Sequence, residues 1–142
     1  MNWLRIASSL LMAATACAAQ TASPARCLSY EPAVVKLEGT LMSKTYSEPS
    51  ANEGGAQGNK AETYWLLKLP HPICVDEDPK DPDLNGAHQD LGLIQLVVDP
   101  ATYKSHSKLV GKRVIATGTL FGGSTAHHHT LVLLTVTTLE QP

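Results

Sequence analysis

Three consecutive histidines, His127, His128 and His129, are the residues of this sequence best suited to chemistry. Imidazole is the commonest metal ligand among side chains, and it titrates near neutral pH. Alternate side chains of an extended segment point to the same side, so His127 and His129 are predicted to face one way. Two imidazoles bind zinc or copper weakly, and a site needs a third donor. The third donor could be His71, His88 or His106, and our first choice is His71, which lies between two prolines. The alternative is a triplet without metal that forms part of a partner-binding rim.

A second candidate site lies in an acidic loop, where Asp81, Asp83 and Asn85 precede Gly86. Oxygen donors at alternate positions before a glycine are typical of calcium loops. The EF-hand pattern then requires a glutamate at its twelfth position, and this sequence has Gly92 there. We therefore regard calcium as the weaker interpretation of this loop and a solvated acidic turn as the stronger one.

Catalysis has little support in the sequence. It contains neither the nucleophile elbow of serine hydrolases nor a phosphate-cradling loop. Its carboxylates are concentrated in the acidic loop, where water should keep them ionised. We predict that the protein is not an enzyme, has no catalytic residues, and carries no cofactor apart from the zinc or copper considered above.

The N-terminus has the three parts of a secretion signal. Arg5 supplies a positive charge, residues 6–16 are apolar or small, and small residues follow from Ala16 to Ala19. The apolar run is about half the length of roughly 20 residues that a spanning helix needs. We therefore expect residues 1–19 to be a signal peptide and the mature chain to have no transmembrane segment.

The cysteines support export to an oxidising compartment, either the periplasm or the medium. Cleavage of the signal would leave Cys27 and Cys74, an even number, and we predict that they form a disulfide. Cys17 belongs to the signal unless it is the acylated residue of an envelope lipoprotein. We favour ordinary cleavage, because Ala14 stands where lipoprotein signals usually carry leucine.

The formal net charge is −2, and no basic patch is visible. A protein that binds a phosphate backbone normally carries such a patch. The composition therefore argues against nucleic acid as a partner.

Periodicity predicts a mainly β domain over residues 30–140, after a tether at residues 20–29. Alternating or β-branched runs predict strands over 34–42, 63–69, 91–98, 112–121 and 131–139, and residues 73–75 could continue the second strand. Residues 43–61 have no hydrophobic period and are interpreted as a long loop. Asp99 followed by Pro100 predicts the start of a helix that extends to Val110, with Gly111 in a left-handed conformation after it.

Five strands with one helix between the third and fourth is the element order of the OB fold, a Greek-key barrel. The alternative, a β-sandwich, leaves the lone helix unexplained. We expect a core made of the following residues: Val35, Leu37, Leu67, Leu96, Val114, Ala116, Leu134 and Val136.

In an OB fold, the loops between strands 1 and 2 and between strands 4 and 5 flank the main binding face. These loops correspond here to Ser43–Ala61 and Gly122–Thr130, and the second contains the histidines. Tyr64 and Trp65 are adjacent on one strand, so one should enter the core while the other faces outward. We predict a binding face that includes Tyr64, Trp65, Phe121 and His128.

Several phrases resemble a family of short exported bacterial domains of unknown function. The resemblance covers most of the mature chain and implies an exported bacterial protein, but it brings no activity or site residue with it. The matching phrases are Tyr30–Leu41, Glu62–Pro70, Pro72–Val75, Gly118–Phe121, and His127–Thr130 before Val132–Val136.

These observations favour a binding module of the bacterial cell envelope. Its partner would be a protein or an envelope saccharide, and an inhibitor or immunity protein against a wall-degrading enzyme is one concrete form. The alternative is a periplasmic protein that binds a transition metal through His127 and His129.

Overall fold

The computed structural model describes residues 26–49 and 59–142, so the predicted signal peptide and Cys17 lie outside the described residues. In this part of the chain, the helices have six and three residues, and none is long and apolar enough to cross a membrane. The elements are β1 (Val34–Pro49), β2 (Asn59–Val75), β3 (His88–Val97), α1 (Pro100–Ser105), a 3₁₀ turn (Ser107–Leu109), β4 (Arg113–Gly122) and β5 (Val132–Glu140).

The five strands close into a barrel in the order β1-β2-β3-β5-β4. All neighbours are antiparallel except β3 and β5, which pair in parallel over the short stretch from Gln95 to Val97. This ring, with one short helix between β3 and β4, confirms the predicted OB-like barrel over the sandwich.

The core is formed by alternate residues of the strands, which are buried while the residues between them are more exposed. In β4, every second residue from Val114 to Gly122 is buried, as expected for a strand with one face in the barrel. Seven of the predicted core residues are buried, whereas Val136 is partly buried and packs against the core from its edge. The seven are Val35, Leu37, Leu67, Leu96, Val114, Ala116 and Leu134.

The predicted long loop over residues 43–61 is wrong at both ends. β1 continues to Pro49, β2 begins at Asn59, and the two pair throughout. We call residues 43–49 and 59–64 the arm, a two-stranded ribbon that extends past the β1–β4 and β2–β3 pairings. The described side chains of the arm, at residues 43–47 and 60–64, do not belong to the core, which is why this part of the sequence lacks a hydrophobic period. Cross-strand pairs stabilise it instead, such as the 2.8 Å hydrogen bond between the hydroxyls of Thr45 and Thr63.

The predicted helix begins as expected but ends early. Asp99 accepts hydrogen bonds from the backbone N–H groups of Ala101 and Thr102, and Gly111 has a φ of 84°. The α-helix stops at Ser105, however, where the Ser105 and His106 side chains bond the Thr102 carbonyl and compete with the helical ladder. The following 3₁₀ turn buries Leu109, and Val110, the predicted last residue of the helix, is exposed outside both elements.

The disulfide between Cys27 and Cys74 confirms the predicted pairing. Next to it, the N–H of Leu28 donates to the Cys74 carbonyl, and the N–H of Asp76 donates to the Leu28 carbonyl. Residues 26–29, part of the predicted tether, are therefore fixed against the end of β2.

We expect the double substitution Cys27→Ser/Cys74→Ser to lower the free energy of unfolding by about 4 kcal/mol. The reason is that the cystine closes a chain separation of 47 residues in the unfolded state. Urea denaturation of both proteins, with and without reductant, measures the difference. As an internal control, reductant should destabilise the wild type and leave the double variant unchanged. Equal free energies of unfolding for the oxidised wild type and the double variant would contradict the prediction.

Candidate functional site

The outward face of β2, β3 and β5 carries a row of residues that would normally meet solvent. Leu66, Gln95 and Leu133 lie side by side in register, pointing away from the core. All three are nonetheless buried. The β4–β5 connection, residues 123–131 (called here the His loop), lies on this face. The histidines therefore lie on an outer face of the barrel whose side chains are buried.

Gln95 fixes the His loop to this face. Its side chain is 2% exposed, and both ends of its amide are used. Nε2 donates to the carbonyl of His127 at 2.9 Å, while Oε1 accepts from the backbone N–H of His129 at 2.6 Å. The backbone N–H of Gln95 also donates to the Thr130 hydroxyl. One buried side chain therefore holds the backbone of the triplet at His127 and at His129.

The arm and the His loop meet through stacked rings. The rings of Tyr46 and His129 are parallel, with centroids 3.6 Å apart. The ring of Tyr64 contacts His129 edge-on at 4.8 Å and Tyr46 at 6.1 Å. On Tyr46, the ammonium of Lys44 also lies 4.8 Å from the ring centroid. The two segments predicted to flank a binding face are thus in contact with each other.

A polar network extends from this aromatic cluster to the surface. The Tyr64 hydroxyl donates to a carboxylate oxygen of Glu62 at 2.7 Å, and Nδ1 of His127 lies 3.1 Å from the same hydroxyl. Lys60 forms an ion pair with Glu62 at 2.9 Å. The Tyr64 hydroxyl, followed by Lys60, holds the pKa of Glu62 below its usual value. Glu62 is thus ionised at neutral pH and orders the arm beside His127.

The predicted metal ligands are not brought together. His129 is stacked on Tyr46, and Nδ1 of His127 contacts Tyr64 and Glu62. His71 is exposed beyond Pro70 in β2. Among residues 26–49 and 59–142, no three His, Cys, Asp or Glu side chains form a group that could hold a metal ion. Zinc or copper binding remains a prediction without a three-ligand set in this part of the protein.

The predicted calcium ligands have different roles. Asn85 is buried, and its Oδ1 accepts from the Gly122 N–H at 2.8 Å. Gly122 has no room for a side chain, because an added Cβ would lie 1.8 Å from the Leu84 carbonyl oxygen. Asp81 and Asp83 are exposed. Asn85 therefore holds the acidic loop against the end of β4, beside the start of the His loop.

The predicted binding-face residues divide between structure and surface. His128 shapes the loop, since its Nδ1 accepts from the backbone N–H groups of Ser124 and Thr125 and its ring meets Phe121 edge-on. As predicted, Trp65 enters the core and Tyr64 faces outward, half-buried.

A cleft of about 280 Å³ opens beside these residues. Trp65 and Tyr103 stack on one side of it at 4.5 Å between ring centroids, and Tyr64 and His127 line the other. Val97 and Tyr103 each keep more than a third of their surface exposed at its rim.

Sequence reasoning missed Gln95 and Tyr46. Gln95 interrupts the apolar run from Leu91 to Val98, and a lone amide in such a strand is a signal for a buried hydrogen-bonding role. Tyr46 lay in the segment interpreted as a loop, and no local pattern pairs it with His129.

A family model described as a domain of unknown function (DUF4431) matches residues 93–140. The match covers the second half of β3 together with α1, β4, the His loop and β5. It agrees with the resemblance to short domains of unknown function. No curated protein matches the chain.

We expect Gln95→Leu to destabilise the protein by about 2–4 kcal/mol, because it leaves the His127 carbonyl and the His129 N–H without their buried partner. Thermal or urea unfolding measures the loss, and faster hydrogen exchange at the His129 amide locates it. The matched control is Gln89→Leu on the same strand, where the side chain is exposed and little change is expected. Unchanged exchange at His129 would refute the role of Gln95.

We expect Tyr64→Phe to raise the pKa of Glu62 toward its ordinary value, because the hydroxyl is the largest cause of its lowering. In the wild type, the stabilisation from ionised Glu62 is fully present above the unfolded-state pKa of about 4.3. It is lost as the pH falls through the lower folded-state pKa. NMR titration of the Glu62 carboxyl checks this, with Tyr103→Phe as the control, and an unchanged Glu62 titration in Tyr64→Phe would be contrary to it.

Proposed function

We propose that this protein is an exported bacterial cell-envelope binding module without enzymatic activity, and that it meets its partner with the arm and the His loop. The observation that carries this proposal is the stacking of Tyr46 on His129 at 3.6 Å, which joins the two segments into one ordered surface. These rings lie outside the hydrophobic core. An ordered aromatic and polar surface of this kind is what preorganised recognition requires.

The hydrogen bonding of the site favours recognition over proton transfer. The carboxylate of Glu62 is already shared between Tyr64 and Lys60, and His127 contacts the same tyrosine. Side chains that are hydrogen-bonded to one another in this way keep a fixed conformation. They also present Tyr and His rings, whose apolar bodies and polar tips are favoured at protein interfaces. We therefore favour a protein partner over an envelope saccharide.

Export is supported by two independent features. The N-terminal sequence has the parts of a secretion signal. The Cys27–Cys74 disulfide is compatible with a location outside the cytoplasm, where such bonds persist. A lipid anchor at Cys17 would keep the module at the envelope, and ordinary cleavage would release it to the periplasm or beyond.

The test is a comparative capture from envelope extract. The wild-type protein is immobilised beside Tyr46→Ala/His127→Ala, which removes one ring from each segment, and Lys36→Ala/Glu140→Gln. The last variant breaks an exposed ion pair on β1 and β5 and is the matched control. We expect a protein partner to be retained by the wild type and the control, and to be reduced at least tenfold with the first variant.

Equal capture by all three proteins would remove the arm and His loop from the binding face. Retention of soluble peptidoglycan fragments instead of a protein would make the partner a saccharide. Circular dichroism and melting curves verify that the variants are folded.

A further inference from the structure

The second strand continues after its neighbour has left the sheet. Pairing of β2 with β3 reaches Trp65 opposite Leu96, and β3 ends at Val97. The chain then turns away, because Asp99 caps the helix that begins at Pro100. Toward Asn59, β2 runs on for six more residues, which pair with β1 on their other side. No described residue occupies the sheet position next to this part of β2.

Two backbone hydrogen bonds of Leu41 show which backbone groups of β2 face this open side. The N–H of Leu41 donates to the Lys112 carbonyl at 2.9 Å, and its carbonyl accepts from the Gly111 N–H at 2.7 Å. The polar backbone groups of Leu41 therefore point away from β2, and those of its partner Leu67 point away from β1, toward β3. Backbone direction alternates along a strand, so the same holds at Trp65, Thr63 and Ala61.

The contact between Thr45 and Thr63 agrees with this assignment. Their hydroxyls lie 2.8 Å apart across the arm. Such close side chains are typical of an antiparallel pair that does not exchange backbone hydrogen bonds. Thr63 and Ala61 thus present two N–H and C=O pairs to the open edge, and Thr63 also lines the cleft.

The two faces beside this edge have opposite character. On one face, Trp65 and Tyr103 are stacked and Tyr103 is 38% exposed. On the other face are Tyr64, His127 and Lys60, and the Lys60 side chain is 72% exposed. A strand laid along the edge would alternate its side chains between these faces. It would need apolar residues toward Tyr103 and polar or acidic residues toward Lys60.

We propose that the open edge of β2 binds an extended polypeptide segment of the partner by strand addition, with apolar residues alternating with polar or acidic ones. Exposed strand edges are templates for such pairing, and main-chain hydrogen bonds supply the affinity while alternate side chains supply the specificity. The added strand occupies the position next to β2 that β3 occupies as far as Val97. This inference rests on the proposed function and specifies how the protein recognises its partner.

The test uses random nine-residue peptides displayed on phage and selected on the purified protein. We expect the enriched peptides to alternate apolar with polar or acidic residues. Synthetic copies should slow amide hydrogen exchange at Ala61 and Thr63. Methylation of alternate backbone nitrogens in the peptide should weaken binding at least tenfold, because it removes main-chain donors while leaving the side chains in place.

A pair of proline substitutions tests the edge on the protein. Thr63→Pro removes an N–H that faces the open side, and Thr45→Pro removes one that faces the opposite edge of the arm. Both lose the same hydroxyl contact and neither loses a hydrogen bond of the β1–β2 ladder, so Thr45→Pro is the matched control. We expect Thr63→Pro to weaken peptide binding at least tenfold and Thr45→Pro to leave it within twofold.

Three results would overturn strand addition: no enriched peptide, equal binding to both proline variants, or protection of Ala61 and Thr63 by self-association of the protein without peptide. Failure here is distinct from failure of the proposed function. If the envelope partner still requires Tyr46 and His127 but binds Thr63→Pro normally, the binding face stands and strand addition falls.

Discussion

The buried amide of Gln95 is the interaction on which the proposed binding face depends. A polar side chain at this depth is stable only when its hydrogen-bonding capacity is met, and here the partners are the backbone groups of the His loop. The dependence is mutual. Without the loop, the Gln95 side chain would lose both of its backbone partners, and without that side chain the loop would lose two of the hydrogen bonds that hold it to the sheet. These hydrogen bonds between Gln95 and the His loop place the histidine rings against the arm.

The same constraint explains why the outer face of the barrel departs from simple alternation. In β4, exposure alternates residue by residue, as one covered face requires. In β2 and β5, consecutive residues are buried, from Trp65 to Leu67 and from Val132 to Leu134. The additional buried residues, Leu66 and Leu133, lie outside the core on either side of Gln95. Continuous apolar runs in these strands therefore encode two separate packing surfaces.

The sequence was sufficient to predict the barrel and most of its core, because strand alternation and the Asp99-Pro100 helix start are local patterns. It was also sufficient for the disulfide, because only two cysteines remain after the predicted signal peptide. The arm was missed because its stability comes from cross-strand pairs, such as Thr45 with Thr63, which only register reveals. The histidines were singled out from the sequence, but the contacts they make depend on partners that are distant in sequence. Tyr46 and Gln95, which stack on His129 and bond its backbone, are about 83 and 34 positions away, and no spacing rule connects them.

The attachment of the N-terminal segment has a consequence for how the molecule is displayed. Cys27 and Leu28 are fastened beside Cys74 and Val75, at the last residues of β2. The arm contains the first residues of the same strand, which has 17 residues, and at about 3.3 Å per residue its two ends are up to about 53 Å apart. The described N-terminal residues and the arm are therefore attached to opposite ends of one strand. The disulfide fixes the chain at the end of β2 that is distant from the aromatic rings and the open strand edge, so it leaves both accessible.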